Sequence, residues 1–142
     1  MKTRDLSQEE CTELLTACKF GRLGLSLNDV PYVIPISYVY SEGKIYLHSG
    51  LSGKKIEIAR RNPSVCFEVD LMEKSYWRSV IALGKVQIKE SLDAKQQMFG
   101  LFTERVMGGH GGMKFDRNEL DRMKMCIWEI EIEEISGRGG IW

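Results

Sequence analysis

Ser49, Lys54 and Lys55 are the residues whose types and spacing suggest chemistry. They sit in the run HSGLSGKK, residues 48–55, where an apparent strand gives way to an apparent helix. A hydroxyl, glycine-rich backbone with free N–H groups and two ammonium groups come together there. Helix starts and flexible backbone donors attract anions, so such a corner suits a phosphate monoester. Lysines at a helix start are mildly unfavourable by about 0.3–1 kcal/mol when exposed. An anion between them explains their placement; a solvated first turn is the bland alternative. A plain N-cap or loop hydroxyl is the alternative for Ser49. His48 precedes Ser49 and is a weak candidate for acid–base work, or a hydrogen-bonded barrel histidine. No other side chain reads as a catalytic acid or nucleophile.

The other reactive residue types carry less. Cys11, Cys18, Cys66 and Cys126 have no C-x-x-C spacing and lie in apolar contexts, so they read as four small buried hydrophobes in a reducing compartment. Two distant histidines and no paired ligands leave no zinc site. His110, flanked by glycines in MGGHGG, has no rigid orientation. The glycines do not fit a dinucleotide fingerprint.

Local patterning supplies the elements that must position the corner. Residues 32–40 alternate Tyr32, Ile34, Ile36, Tyr38 and Tyr40 with Val33, Pro35, Ser37 and Val39, the period of one strand. Pro35 cannot donate to a ladder, so it implies an edge, a bulge or a ligand on the pairing side. Ser41-Glu42-Gly43-Lys44 is turn chemistry, Lys44–Ser49 returns as a hairpin partner, and a helix over Lys54–Arg61 stops at Asn62-Pro63. Upstream, Ser7 and Glu10 form a capping box for a helix bearing Cys11, Leu14, Leu15 and Cys18, with Gly21 as its stop. Residues 22–28 alternate Leu23, Leu25 and Leu27 as a further strand. Downstream come a strand over 64–70, a polar loop over 71–75 and a long strand over 77–90 bent at Gly84. A Ser91-capped helix, the loop 107–112, a short helix near 118–123 and a last strand over 125–135 complete the chain.

Six strands with hairpin spacing and peripheral helices indicate a mainly β, α+β fold, an antiparallel barrel. Residues 1–142 read as a single domain. With 20 basic and 20 acidic residues the formal charge is zero, which disfavours nucleic acid and anionic membrane surfaces. No run approaches the roughly 18 apolar residues of a membrane span. The first residues show no signal peptide, and a cytoplasmic location is the expectation.

VIPISYVY, KIYLHSG, GKK, NPSVCFEVD and RSVIALGKV, in this order and spacing, resemble the pyridoxamine 5'-phosphate oxidase-like flavoproteins, most of all the branch that includes 5-nitroimidazole-resistance proteins. The resemblance implies a six-stranded split β-barrel of the FMN-binding type. It also implies a homodimer with cofactor clefts at the interface. Carried over residue by residue, Ser49 and Lys55 would contact the FMN phosphate with Lys54 beside them. Val33, Ile34, Pro35, Ile36 and Ser37 would line the flavin, partly through backbone groups. Ser79 and Val80 on the neighbouring strand would approach the ring or ribityl chain, and His48 would stand beside the phosphate-binding hydroxyl. The oxidases' Arg-Lys pair is Lys-Lys here and their C-terminal substrate-binding pattern is not evident. The implied activity is therefore reduction of a small planar compound such as a nitroaromatic, with FMN as cofactor. The alternative is a non-catalytic module holding FMN or heme. Trp77 and Trp128 read as core or interface aromatics, Trp142 as a dimer or cofactor contact, and Arg78 as an interface or phosphate partner.

Overall fold

The computed structural model describes residues 2–107 and 116–141. Its first strand, β1 (Lys2–Asp5), leads into helix α1 (Gln8–Ala17). The capping box forms as the sequence predicts: Glu10 N–H donates to Ser7 Oγ and Ser7 N–H to Glu10 Oε1, both at 3.1 Å. Cys11, Leu14 and Leu15 face the core. The helix ends at Cys18 rather than Gly21. Gly21 belongs to β2 (Phe20–Leu27), where a Cβ would lie 2.3 Å from the Phe67 ring, so close packing is its role.

The two-residue turn Asn28-Asp29, with φ of 52° and 64°, returns the chain as β3 (Val30–Ser37). The single strand expected over 32–40 is in fact two. Tyr38 leaves the ladder: its N–H donates to Lys19 O at 3.2 Å and its hydroxyl to Leu15 O at 2.5 Å. Its ring meets Phe67 edge-on. After it, β4 (Val39–Ser41) pairs with β5 (Lys44–Ser49).

Helix α2 (Lys54–Arg61) follows, burying Ile56, Ile58 and Ala59. Then come β6 (Ser64–Glu73) and β7 (Tyr76–Lys89), paired so far that the expected loop 71–75 shrinks to the turn Lys74-Ser75. The register slips between Leu83 and Gly84, as a bulge there requires. A Cβ on Gly84 would stand 2.1 Å from Glu131 O. Ser91 Oγ accepts from Ala94 N–H at the start of α3 (Leu92–Met107). After α4 (Arg117–Arg122), β8 (Cys126–Ile141) runs past its expected end at 135, held by β7 on one side and β1 on the other.

All pairings are antiparallel, in the order β3-β2-β6-β7-β8-β5-β4 with β1 beside β8. The fold is the mainly β split barrel expected, and its two added strands are β1 and the piece cut off at Tyr38. β3 and β4 are the two ends of the sheet yet are separated by Tyr38 alone. The sheet is therefore curled so that its two end strands follow one another in the chain without pairing, and it stays open. Pro35 lies on that edge, where its missing N–H costs no ladder bond. Leu23, Leu47, Phe67, Val69, Val80 and Trp128 fill the barrel. A smaller core forms where α3 covers Tyr46 and Ile127 with Met98. All four cysteines are free thiols; Cys11 and Cys126 are buried, whereas Cys18 and Cys66 are only half-buried.

Candidate functional site

The start of α2 brings free backbone N–H groups and two lysines together, with Glu57 as the acidic residue of the same turn. Gly53 takes φ of 129°, a backbone that L side chains rarely adopt, and no side chain caps the helix. The N–H groups of the first turn lack intrahelical partners by the geometry of any helix start. Lys55 is half-buried in that turn. Lys54 projects across to β3, its Nζ 5.2 Å from the centroid of the Tyr32 ring. Just before, Ser49 is buried at the end of β5, 8% exposed. Its Oγ accepts from Trp128 Nε1–H at 2.8 Å and donates to Gly50 O at 3.0 Å.

Tyr32, whose ring shares the inward face of Ile34 and Ile36, also borders a groove of about 700 Å³. Pro31, Val33, Gly24, Cys66 and Leu83 make its apolar floor and walls, with Lys85 and Glu133 as its charged members. Around it Val30, Val33, Ile81 and Leu83 lie exposed. Tyr32 thus touches the cationic helix start through Lys54 and borders the largely apolar groove.

The remaining expected residues separate by strand and by face. Val33 and Pro35 point outward, while Ile34 and Ile36 turn inward and pack on the barrel core. Ser37 ends β3 half-buried. His48 does not stand beside the Ser49 hydroxyl. Alternation along β5 puts the two side chains on opposite faces of the sheet. His48 lies 6.3 Å from the Phe99 ring and 6.0 Å from that of Phe102, both on α3. Partial desolvation beside those rings lowers its imidazole from the ordinary value, while the residue stays solvent-exposed. Nor is β7 the neighbour of β3, since β2 and β6 intervene. Val80 is fully buried in the barrel, and Ser79 stands opposite Asp70 and Arg138. Within one chain, then, Lys54 reaches the Tyr32 ring and Val33 follows Tyr32 on the opposite face of β3, whereas Ser49 bonds to Trp128 and His48, Ser79 and Val80 lie elsewhere.

Trp128 is a core aromatic, as its pattern indicates, and its bond to Ser49 gives it a polar task as well. Arg78 is half-buried beneath the Tyr76 ring, with its Nε making no hydrogen bond. His110 and Trp142 lie outside the described residues. Sequence reading missed the partnership of Trp128 with Ser49, the Tyr32–Lys54 contact and the groove. Alternation placed Tyr32 on a face of its strand, but nothing local says which lysine lies over it.

The family model described as pyridoxamine 5'-phosphate oxidase matches residues 7–139. An uncharacterized protein of Rhizobium meliloti (strain 1021) is 34% identical over 151 aligned residues, covering 97% of this chain and 95% of that one. A solved FAD-binding protein from Mesorhizobium loti is 32% identical, covers 99% of both chains and superimposes with a TM-score of 0.79. A solved candidate 5-nitroimidazole antibiotic resistance protein from Bacteroides thetaiotaomicron reaches a TM-score of 0.84 at 21% identity, over 97% of this chain and 87% of that one.

Proposed function

The chain belongs to the pyridoxamine 5'-phosphate oxidase family, and on that footing we propose that it is a flavoprotein oxidoreductase. Specifically, it uses FMN, works as a homodimer and reduces a small planar compound such as a nitroaromatic. The observation that carries this reading is the junction at Tyr32 of an uncapped, lysine-bearing helix start with an apolar groove. FMN has the same two-part character: a phosphate monoester at one end and a flat, largely apolar ring at the other. Lys54, Lys55 and the first-turn N–H groups of α2 would hold the phosphate, with Ser49 behind them. Val33 and the outward backbone of Pro35 and Ser37 would face the ring. When bound, the flavin would supply the electron chemistry; the chain's share is to bind it, orient it and exclude water. The similarity to an FAD-binding protein supports a flavin in general.

A homodimer closes the cleft in this reading. It would cover the exposed Ile81 and Leu83. Residues distant in one chain, such as Ser79 and Lys55, could then serve one shared cleft. The position of His48, on the opposite face of β5 from Ser49, favours a second reading, a module that holds FMN or heme without turnover.

The test is an absorbance spectrum of the purified protein after FMN addition and gel filtration, with Lys55→Ala in parallel. Retained flavin bands on a dimer-sized peak, weakened in the variant, are expected. No flavin on either protein would refute the flavoprotein. Retained flavin without reductant-dependent conversion of nitroaromatics would leave the module.

A further inference from the structure

We propose that Trp128 is a positioning residue for the Ser49 hydroxyl, and that this pairing makes the corner prefer a phosphomonoester to an uncharged terminal hydroxyl. The proposal rests on the reading that a flavin phosphate sits at the start of α2.

Trp128 has no solvent exposure, and its indole N–H reaches Ser49 Oγ at 2.8 Å across the β5–β8 ladder. An indole N–H only donates, whereas a hydroxyl has one proton and two lone pairs. The Trp128 bond therefore occupies a lone pair of Ser49 and forbids its proton from pointing into the barrel. That proton goes the other way, to Gly50 O at 3.0 Å, at the beginning of the exposed loop that leads to Gly53. To serve a phosphate oxygen the hydroxyl must turn this proton off Gly50 O, and the Trp128 bond, by holding a lone pair, keeps the proton on the side away from the indole. Donation from Trp128 also polarises the hydroxyl and strengthens it as a donor. An anionic phosphate oxygen takes such a proton in a charge-assisted bond, roughly twice as strong as the bond to a neutral acceptor. Lys54 and Lys55 supply charge but no fixed direction; the Trp128–Ser49 pair supplies the direction.

The experiment measures FMN and riboflavin affinities by flavin fluorescence. It compares the unaltered protein with Trp128→Phe, Ser49→Ala and the double variant, each checked for folding by near-ultraviolet circular dichroism. Trp128→Phe is expected to weaken FMN about five-fold while moving riboflavin by less than about two-fold. In the Ser49→Ala background it should add no further loss of FMN. Equal losses for both flavins, or losses that simply add, would overturn the proposal and leave Trp128 a packing residue. Should Trp128→Phe fail to fold, the assigned indole N–H resonance of Trp128 in the unaltered protein decides. It should shift on saturation with FMN and not with riboflavin, and an identical response to both would overturn the proposal. If the unaltered protein binds neither flavin, the flavoprotein reading falls and takes this one with it. If FMN binds but its advantage over riboflavin survives the loss of the indole N–H, only the role of Trp128 falls.

Discussion

Replacing Tyr38 with phenylalanine tests how firmly the one residue between β3 and β4 anchors the fold. Its hydroxyl donates to Leu15 O at 2.5 Å, and Leu15 is among the last residues of α1, whose carbonyls lack intrahelical partners. The Arg105 guanidinium in turn donates to the Tyr38 carbonyl, and the Tyr38 N–H is bound to Lys19 O. Tyr38→Phe keeps the ring against Phe67, so no cavity opens. What is lost is one buried donor, leaving a buried carbonyl unmet, at a cost of about 1–3 kcal/mol. For a domain of this size that is a fall in Tm of roughly 3–9 °C. The alkaline limb gives a second readout. Burial, with the nearby Cys18, raises the Tyr38 phenol above its ordinary value of 10. A raised folded value means stability that is complete below about 10 and drains away as pH climbs toward the folded value. The phenylalanine variant has no such loss, so the gap between the two proteins should narrow above pH 10. Urea unfolding at neutral and alkaline pH, with Tyr40→Phe as control, measures both effects. A neutral-pH cost below about 0.5 kcal/mol, within the ordinary range of surface substitutions, would refute the reasoning. So would a gap that widens with pH.

Two further perturbations have clear signs. Burial alone would raise the Glu129 carboxyl, but the ammonium groups of Lys44 at 2.8 Å and Lys89 at 2.7 Å outweigh it and hold the carboxyl below its ordinary 4.5. Glu129→Gln should therefore cost about 1–2 kcal/mol near neutrality, a figure kept low because both lysines are partly solvated. The cost should fade as pH falls below the ordinary carboxylate value, and a urea midpoint difference independent of pH would count against it. Gly84→Ala would drive a Cβ to 2.1 Å from Glu131 O, a backbone atom that cannot rotate away. It should destabilise by about 3 kcal/mol, toward the top of the overpacking range, and a variant that melts with the parent would show that the bulge relaxes freely.

The elements with local causes were legible from the chain. The capping box at Ser7 and Glu10, the hairpin through Glu42 and Gly43, the helix from Lys54 to Arg61 and the bulge at Gly84 each depend on residues a few positions apart. So does the antiparallel character of the sheet, because short turns join most of the strands. Much of the candidate corner was legible too, since Ser49, Gly53, Lys54 and Lys55 are close in sequence. The opposite orientation of His48 and Ser49 was already implied by alternation, and a family resemblance cannot override that period. Other features were decided only when distant segments met. Tyr38 breaks its strand because Leu15, Phe67 and Arg105 converge on it. The glycine-rich stretch after residue 135 becomes strand because β1 and β7 supply its hydrogen bonds. Trp128 reaches Ser49 because pairing sets the register of β5 on β8. Period and turn chemistry act between near neighbours, whereas register, sheet edges and the meeting of groove with helix start at Tyr32 are fixed by burial and pairing across the whole chain.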